Sequence, residues 1–181
     1  MAWTSPTTRV TGELITAAIW NTDIVDNLTF LHDRVVTDLI PPKWNGGAGG
    51  ADTILGDWRV VQYANTAAAN VPAAVMNFHV PADFSALTAA QILAVSSATT
   101  TLEYNLTVDY GASGETYTTH SGASADQTLA MTANILTLIS ITGALGSLAA
   151  GDFVGVTFAA SAGANAANWN ILGLLLRYTR T

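Results

Sequence analysis

Nine consecutive residues, Leu102-Glu103-Tyr104-Asn105-Leu106-Thr107-Val108-Asp109-Tyr110, alternate apolar and polar without a fault. Successive side chains of an extended chain point to opposite faces, so this pattern fits a strand with one face on a core and one in water. A helix would scatter the same apolar residues around its circumference. Gly111-Ala112-Ser113-Gly114 follows as a turn. Comparable β-type runs are Trp58 to Tyr63, Ala74 to Val80, Glu115 to Thr119, Gln127 to Thr132, Asn134 to Ile141, Asp152 to Ala160 and Asn170 to Thr179. Asp83 to Ala94 reads either way, with room for one helical turn or two. About eight or nine short strands between Gly, Ser, Asn and Asp turns predict a mainly β, antiparallel sandwich or barrel.

The last run carries a second constraint. Leu172, Leu174, Leu176 and Tyr178 share one face by alternation, yet Ile171, Gly173 and Leu175 on the other face are apolar or small as well. A strand that is apolar on both sides is covered on both sides. Only 10% of the chain is charged, against roughly a quarter in an ordinary soluble protein. A lone sandwich needs a charged skin for solubility, whereas one flanked by copies of itself does not. Self-association is the expectation, with Ile171, Leu172, Leu174, Leu175, Leu176 and Tyr178 as the β-domain oligomer face.

Ahead of the strands, Thr16 suits a helix start and Pro41-Pro42 a helix stop. Between them Ile24, Leu28, Leu31 and Val35 fall at spacings of four, three and four, a coiled-coil seam, with Asn21 at the preceding position. Such a helix can pack on its own domain or on copies of itself. Trp20, Val25, Phe30 and Leu39 make it more apolar than one seam requires, which favours self-association. Trp3 to Leu14 is rich in Thr, with Pro6, and reads as extended. Lys43 to Asp52 is glycine-dense and reads as a connector. The expected organisation is an anchoring arm and helix over 1–42, a joint over 43–57 and a β domain over 58–181.

Most chemistry is excluded. The formal charge is −7, and no lysine or arginine lies between Arg59 and Arg177, so a nucleic-acid or anionic-membrane surface lacks its cations. No apolar run approaches the ~20 residues of a membrane span. There is no cysteine, hence no disulfide or thiolate metal site. His32, His79 and His120 have no metal-pair spacing. The glycines of the connector lack the Gly-Lys-Ser/Thr ending of a phosphate loop. Gly111 to Glu115 breaks the spacing of a nucleophile elbow. Asp109 and Glu115 flank one hairpin and could pair as glycosidase carboxylates do, although solvated acids at a turn are the commoner arrangement. Asn-X-Thr triplets begin at Asn27 and Asn105; the opening residues lack the basic start and apolar stretch of an export signal, so the triplets read as coincidence. No catalytic residue, metal or cofactor is expected.

Two stretches carry a resemblance. Trp3-Thr4-Ser5-Pro6, Thr11-Gly12-Glu13-Leu14-Ile15-Thr16-Ala17-Ala18, Asn21 and Asp26-Asn27-Leu28 resemble the N-terminal segment of many tailed-bacteriophage structural proteins. Pro81-Ala82-Asp83-Phe84, Val108-Asp109-Tyr110-Gly111-Ala112, Leu148 to Val156 and the closing Ile171-Leu172-Gly173-Leu174 with Tyr178 resemble trimeric jelly-roll domains of phage virions. The resemblance implies a homotrimer on a virus particle. Its arm, with Trp3, Pro6 and Trp20, would dock on the major capsid protein or another virion component, and its helices would pack through Asn21, Ile24, Leu28, Leu31 and Val35. Capsid decoration is the expected role, because the short joint leaves no room for a fibrous shaft. The alternative is a short head-fibre or tail-fibre tip that contacts a host glycan through loops such as Gly111 to Glu115 and Ser121 to Asp126.

Overall fold

The computed structural model describes residues 14, 16–28, 35–46, 50–63, 73–161 and 167–180. A helix, α1 (Ala17–Trp20), runs into a π-helical turn, Asn21–Val25. The strands are β1 (Val36–Ile40), β2 (Lys43–Trp44), β3 (Gly50–Leu55), β4 (Trp58–Tyr63), β5 (Ala73–His79) and β6 (Phe84–Ser96). They continue with β7 (Thr100–Gly111), β8 (His120–Met131), β9 (Leu136–Ser140), β10 (Phe153–Ala160) and β11 (Trp169–Arg180). One sheet has the order β3-β4-β11-β6-β9, with β1 also on β11; the other has the order β2-β5-β10-β7-β8. From β4 onward, the four-strand orders β4-β11-β6-β9 and β5-β10-β7-β8 are those of a jelly roll.

The alternation of β7 does what its sequence predicts. Leu102, Leu106, Val108 and Tyr110 are buried in the core, while Thr107 faces water. Facing them are Val61, Ala90, Ile92, Ala94, Ile171, Leu174 and Leu176 from the six-stranded sheet. Each large apolar side chain buried this way contributes about 1.5–3 kcal/mol. An aromatic group closes one end of the core. Trp169 meets Tyr63 edge-on at 5.1 Å and Phe158 at 5.4 Å, and Phe158 stacks on Tyr104 at 4.8 Å. Tyr63 also ties the sheets together. From β4 its hydroxyl donates to the Phe158 carbonyl on β10 (2.5 Å) and accepts from the Ala74 amide on β5 (2.6 Å).

Several expectations change. Val36–Ile40, assigned by sequence to the end of the helix, is a strand paired with Leu174 to Tyr178. Ile40 precedes Pro41, whose ring disfavours the helical region for the residue before it. Val36 and Ile40 then pack on the core, and Asp38 accepts the Tyr178 hydroxyl at 3.0 Å. The sandwich therefore starts at Val36, not at 58, and the glycine-dense stretch contributes β2 and β3 to the sheets. Asp83 to Ala94 is almost wholly strand, most of it within β6. Glu115 to Thr119 is turn, not strand.

A further change concerns β11. Its pairing with β6 slips between Ile171 and Gly173. This bulge moves Ile171 onto the core face with Leu174, Leu176 and Tyr178, and turns Leu172 to the opposite side with Val60 and Val95. A one-residue slip flips every side chain before it, so strict alternation gave the wrong company to Ile171 and Leu172. Below the bulge β11 pairs with β4, and above it with β1. Gly173 sits at the changeover, where an added Cβ would lie 2.6 Å from the Ile40 carbonyl oxygen.

Candidate functional site

The outward face of the six-stranded sheet is built from the positions that alternate with the core. Val60, Val95 and Leu172 form a small buried cluster there, flanked by Leu55 and Leu93. Leu138 lies directly across from Leu93, and Leu136 across from Val95. On the other side of the bulge, Leu39 lies across from Leu175. Leu136 is 55% exposed and Leu39 45% exposed, and Trp58 and Leu138 are open to a similar degree. The result is a band of leucines and one tryptophan across the six strands, with no described helix over it. β-Sheets of monomers usually turn a polar face to water, and a contiguous exposed apolar patch marks an interaction surface.

The residues expected on the oligomer face divide sharply. Ile171, Leu174, Leu176 and Tyr178 are buried within the single chain, Tyr178 to 1% exposure, and Leu172 is buried in the outer cluster. They have no surface left for a second copy, because the sandwich itself consumes them. Leu175 alone of the six is half-buried on the outward face. On the outward face, the residues that offer surface lie on the neighbouring strands. Leu136 and Leu138 belong to a run that the sequence marks only for its strand character, and Leu93 to the stretch Asp83 to Ala94 that reads either way. The pairing Leu93–Leu138, which joins them into one patch, spans 45 positions of sequence and has no local signal.

At the N-terminus, Thr16 caps α1 as expected, its hydroxyl accepting from the Ile19 amide at 3.3 Å. The Asp26 amide then bonds to the Asn21 carbonyl, one residue further back than in an α-helix. Asn21, Ile24 and Leu28 of the expected seam are exposed, as are Trp20 and Val25. Val35 stands immediately before an extended strand, so the seam does not reach it as helix. Leu31, Trp3, Pro6, Phe30 and His32 lie outside the described residues.

The candidate chemistry dissolves into structure. Glu115 turns back on its own loop, accepting from the Ala112 amide at 2.9 Å, while Asp109 stands on the outward face of β7 opposite Ser121. His79 and His120 occupy opposite faces of the five-stranded sheet with two strands between them; His79 packs on Phe153 and His120 on Tyr110. Among the described residues, no three His, Asp or Glu side chains are placed to hold a metal ion. The Asn105 side chain accepts from the Asp126 amide at 2.7 Å, at the irregularity of the β7–β8 pair. Ser121 to Asp126, expected as a loop, lies inside β8. Burial pushes the Tyr63 phenol far above its ordinary range, and raises Tyr104 as well; Tyr63 is a core group and Tyr104 is partly buried against the core.

No family model matches the chain, and no curated protein matches it. Among solved structures it is similar to a point mutant of a family 29 carbohydrate-binding module complexed with cellulohexaose, at 9% identity and a TM-score of 0.44, over 80% of this chain and 92% of that one. Another family 29 carbohydrate-binding module aligns at 8% identity and a TM-score of 0.45, over 80% and 89%.

Proposed function

We propose that the chain is a structural subunit of a bacteriophage particle: a homotrimeric capsid-decoration protein that docks through its N-terminal segment. The observation that carries the reading is the apolar outward face of the six-stranded sheet, Leu39, Trp58, Leu93, Leu136, Leu138 and Leu175. Such a face suits a subunit that is buried by its own copies, and closed rotational assemblies are the usual outcome. It also accounts for the sparse charge of the sequence, since covered surface needs no ionised groups. The exposed apolar residues of the N-terminal helix, Trp20, Ile24, Val25 and Leu28, fit a segment that finds its cover elsewhere. Three linked arms would hold a shell with avidity that one arm lacks.

Assembly is tested by mass in solution. The protein should sediment at three times its 18.8 kDa chain mass, and Leu138→Glu should shift it toward the single chain, because a buried unpaired carboxylate is costly. A wild-type protein that sediments as a single chain at micromolar concentration overturns the reading.

Docking is tested by truncation, and the structure fixes where to cut. Removing residues 1–34 leaves β1 in place and should give a folded sandwich that no longer co-sediments with stripped particles. Cutting on to residue 42 also strips β1 from β11 and should destabilise the domain. If the shorter truncation still decorates particles, the anchor is not in this segment.

A further inference from the structure

We propose that the outward face of the five-stranded sheet holds a binding site for a neutral saccharide. A trough of about 570 Å³ crosses β5, β10 and β7 there, a size typical of small-ligand sites. Its floor is a missing side chain. Asn77, Gly155 and Asp109 are direct neighbours across three strands, so Gly155 leaves a gap between an amide and a carboxylate about 10 Å apart, two strand spacings. One row further along, His79 lies across from Phe153, their rings 4.6 Å apart. Phe153 is 57% exposed, and Tyr117, from the β7–β8 loop, lines the trough at 80% exposure.

These groups match the two-sided chemistry of a sugar ring. The C–H face of a pyranose is apolar and lies flat on an aromatic ring. Its hydroxyls need paired donors and acceptors, which the Asn77 amide and the Asp109 carboxylate supply. The charge selects within the class. Among the described residues, no lysine or arginine lines the trough and Asp109 is its one carboxylate, so phosphate, sulfate, uronate and sialic acid meet repulsion without a counter-charge. This face is also unlike the leucine band of the other sheet: its exposed rings stand beside hydrogen-bonding groups. The site therefore stands apart from the assembly reading, and it lies on the sheet floor, not in the hairpin loops where the sequence suggested a glycan contact.

The test uses the full chain on an array of neutral oligosaccharides of glucose, galactose, mannose, rhamnose and N-acetylhexosamines, with sialylated and uronate-containing glycans as anionic probes. Neutral glycans should bind and anionic ones should not. Phe153→Ala removes the stacking ring, and should weaken binding about tenfold or more. Gly155→Val fills the trough without removing a hydrogen bond; its Cβ would lie 3.5 Å from the Asn77 Oδ1, an ordinary contact, so folding survives, checked by circular dichroism. It should abolish binding, and Thr53→Ala on the opposite sheet should leave it unchanged. No binding to any neutral glycan, binding confined to anionic probes, or neutral binding that survives Gly155→Val each overturns the proposal.

Discussion

Replacing Tyr63 by phenylalanine should cost the fold about 2–4 kcal/mol, far more than one hydroxyl usually contributes. The Tyr63 hydroxyl is the partner of a buried carbonyl and a buried amide at once, on two different strands of the opposite sheet. Each buried backbone group left without a partner costs about 1–3 kcal/mol. Phenylalanine preserves the ring packing against Trp169, so the loss isolates the polar tie. Urea unfolding should show a lower midpoint with an unchanged slope. A second readout is alkaline stability. Burial holds the Tyr63 phenol protonated in the native state, while in the unfolded chain it ionises near pH 10. The unfolded state then binds fewer protons, so stability is intact below pH 10 and falls as pH rises above it. In Tyr63→Phe that fall should be shallower, with Tyr104 contributing the remainder. A variant as stable as wild type would mean that Ala74 and Phe158 close directly on each other.

Gly173→Val should be comparably severe, by about 3 kcal/mol or more. Even a single Cβ at this position lies 2.6 Å from the Ile40 carbonyl oxygen and 3.0 Å from a Leu39 methyl, on a backbone with φ of +155°. Backbone cannot swing aside as a side-chain tip can, so either β1 leaves the sheet or the bulge is rebuilt. Hydrogen exchange distinguishes the variant from general loosening: the amides of Val36–Ile40 should lose protection before those of β6, which pairs on the other edge of β11. Unchanged protection at β1 would show that the changeover point tolerates a side chain.

How much of this was legible depends on where each signal lives. Strands with their information in local alternation were readable: Trp58–Tyr63 was bounded to the residue, and β7, β10 and β11 to within one or two. Val36–Ile40 was not, because Ile24, Leu28, Leu31 and Val35 continue a helical period up to it, and five residues are too few to announce a new one. The one available sign was Ile40 before Pro41. β6 was obscured by Ala86, Ala89 and Ala90, which favour helix in isolation and are overridden by pairing along β11. The bulge at Leu172 follows from partners on two edges, which no single strand encodes. Both candidate surfaces share that difficulty. Leu93 with Leu138, and Asn77 with Gly155 and Asp109, become neighbours only through pairing between distant strands.

The pairing of Val36 with Tyr178 bears on engineering. The sandwich's first strand begins beside the end of its last, so a peptide attached at the end of β11 emerges beside the start of β1. Cargo meant for open display belongs at the other pole, in the crossings at residues 97–99 and 132–135. There the Ser97 amide bonds to the Asn168 carbonyl and the Asn134 amide to the Ser96 carbonyl, a stitched rim that would hold a graft at a fixed angle.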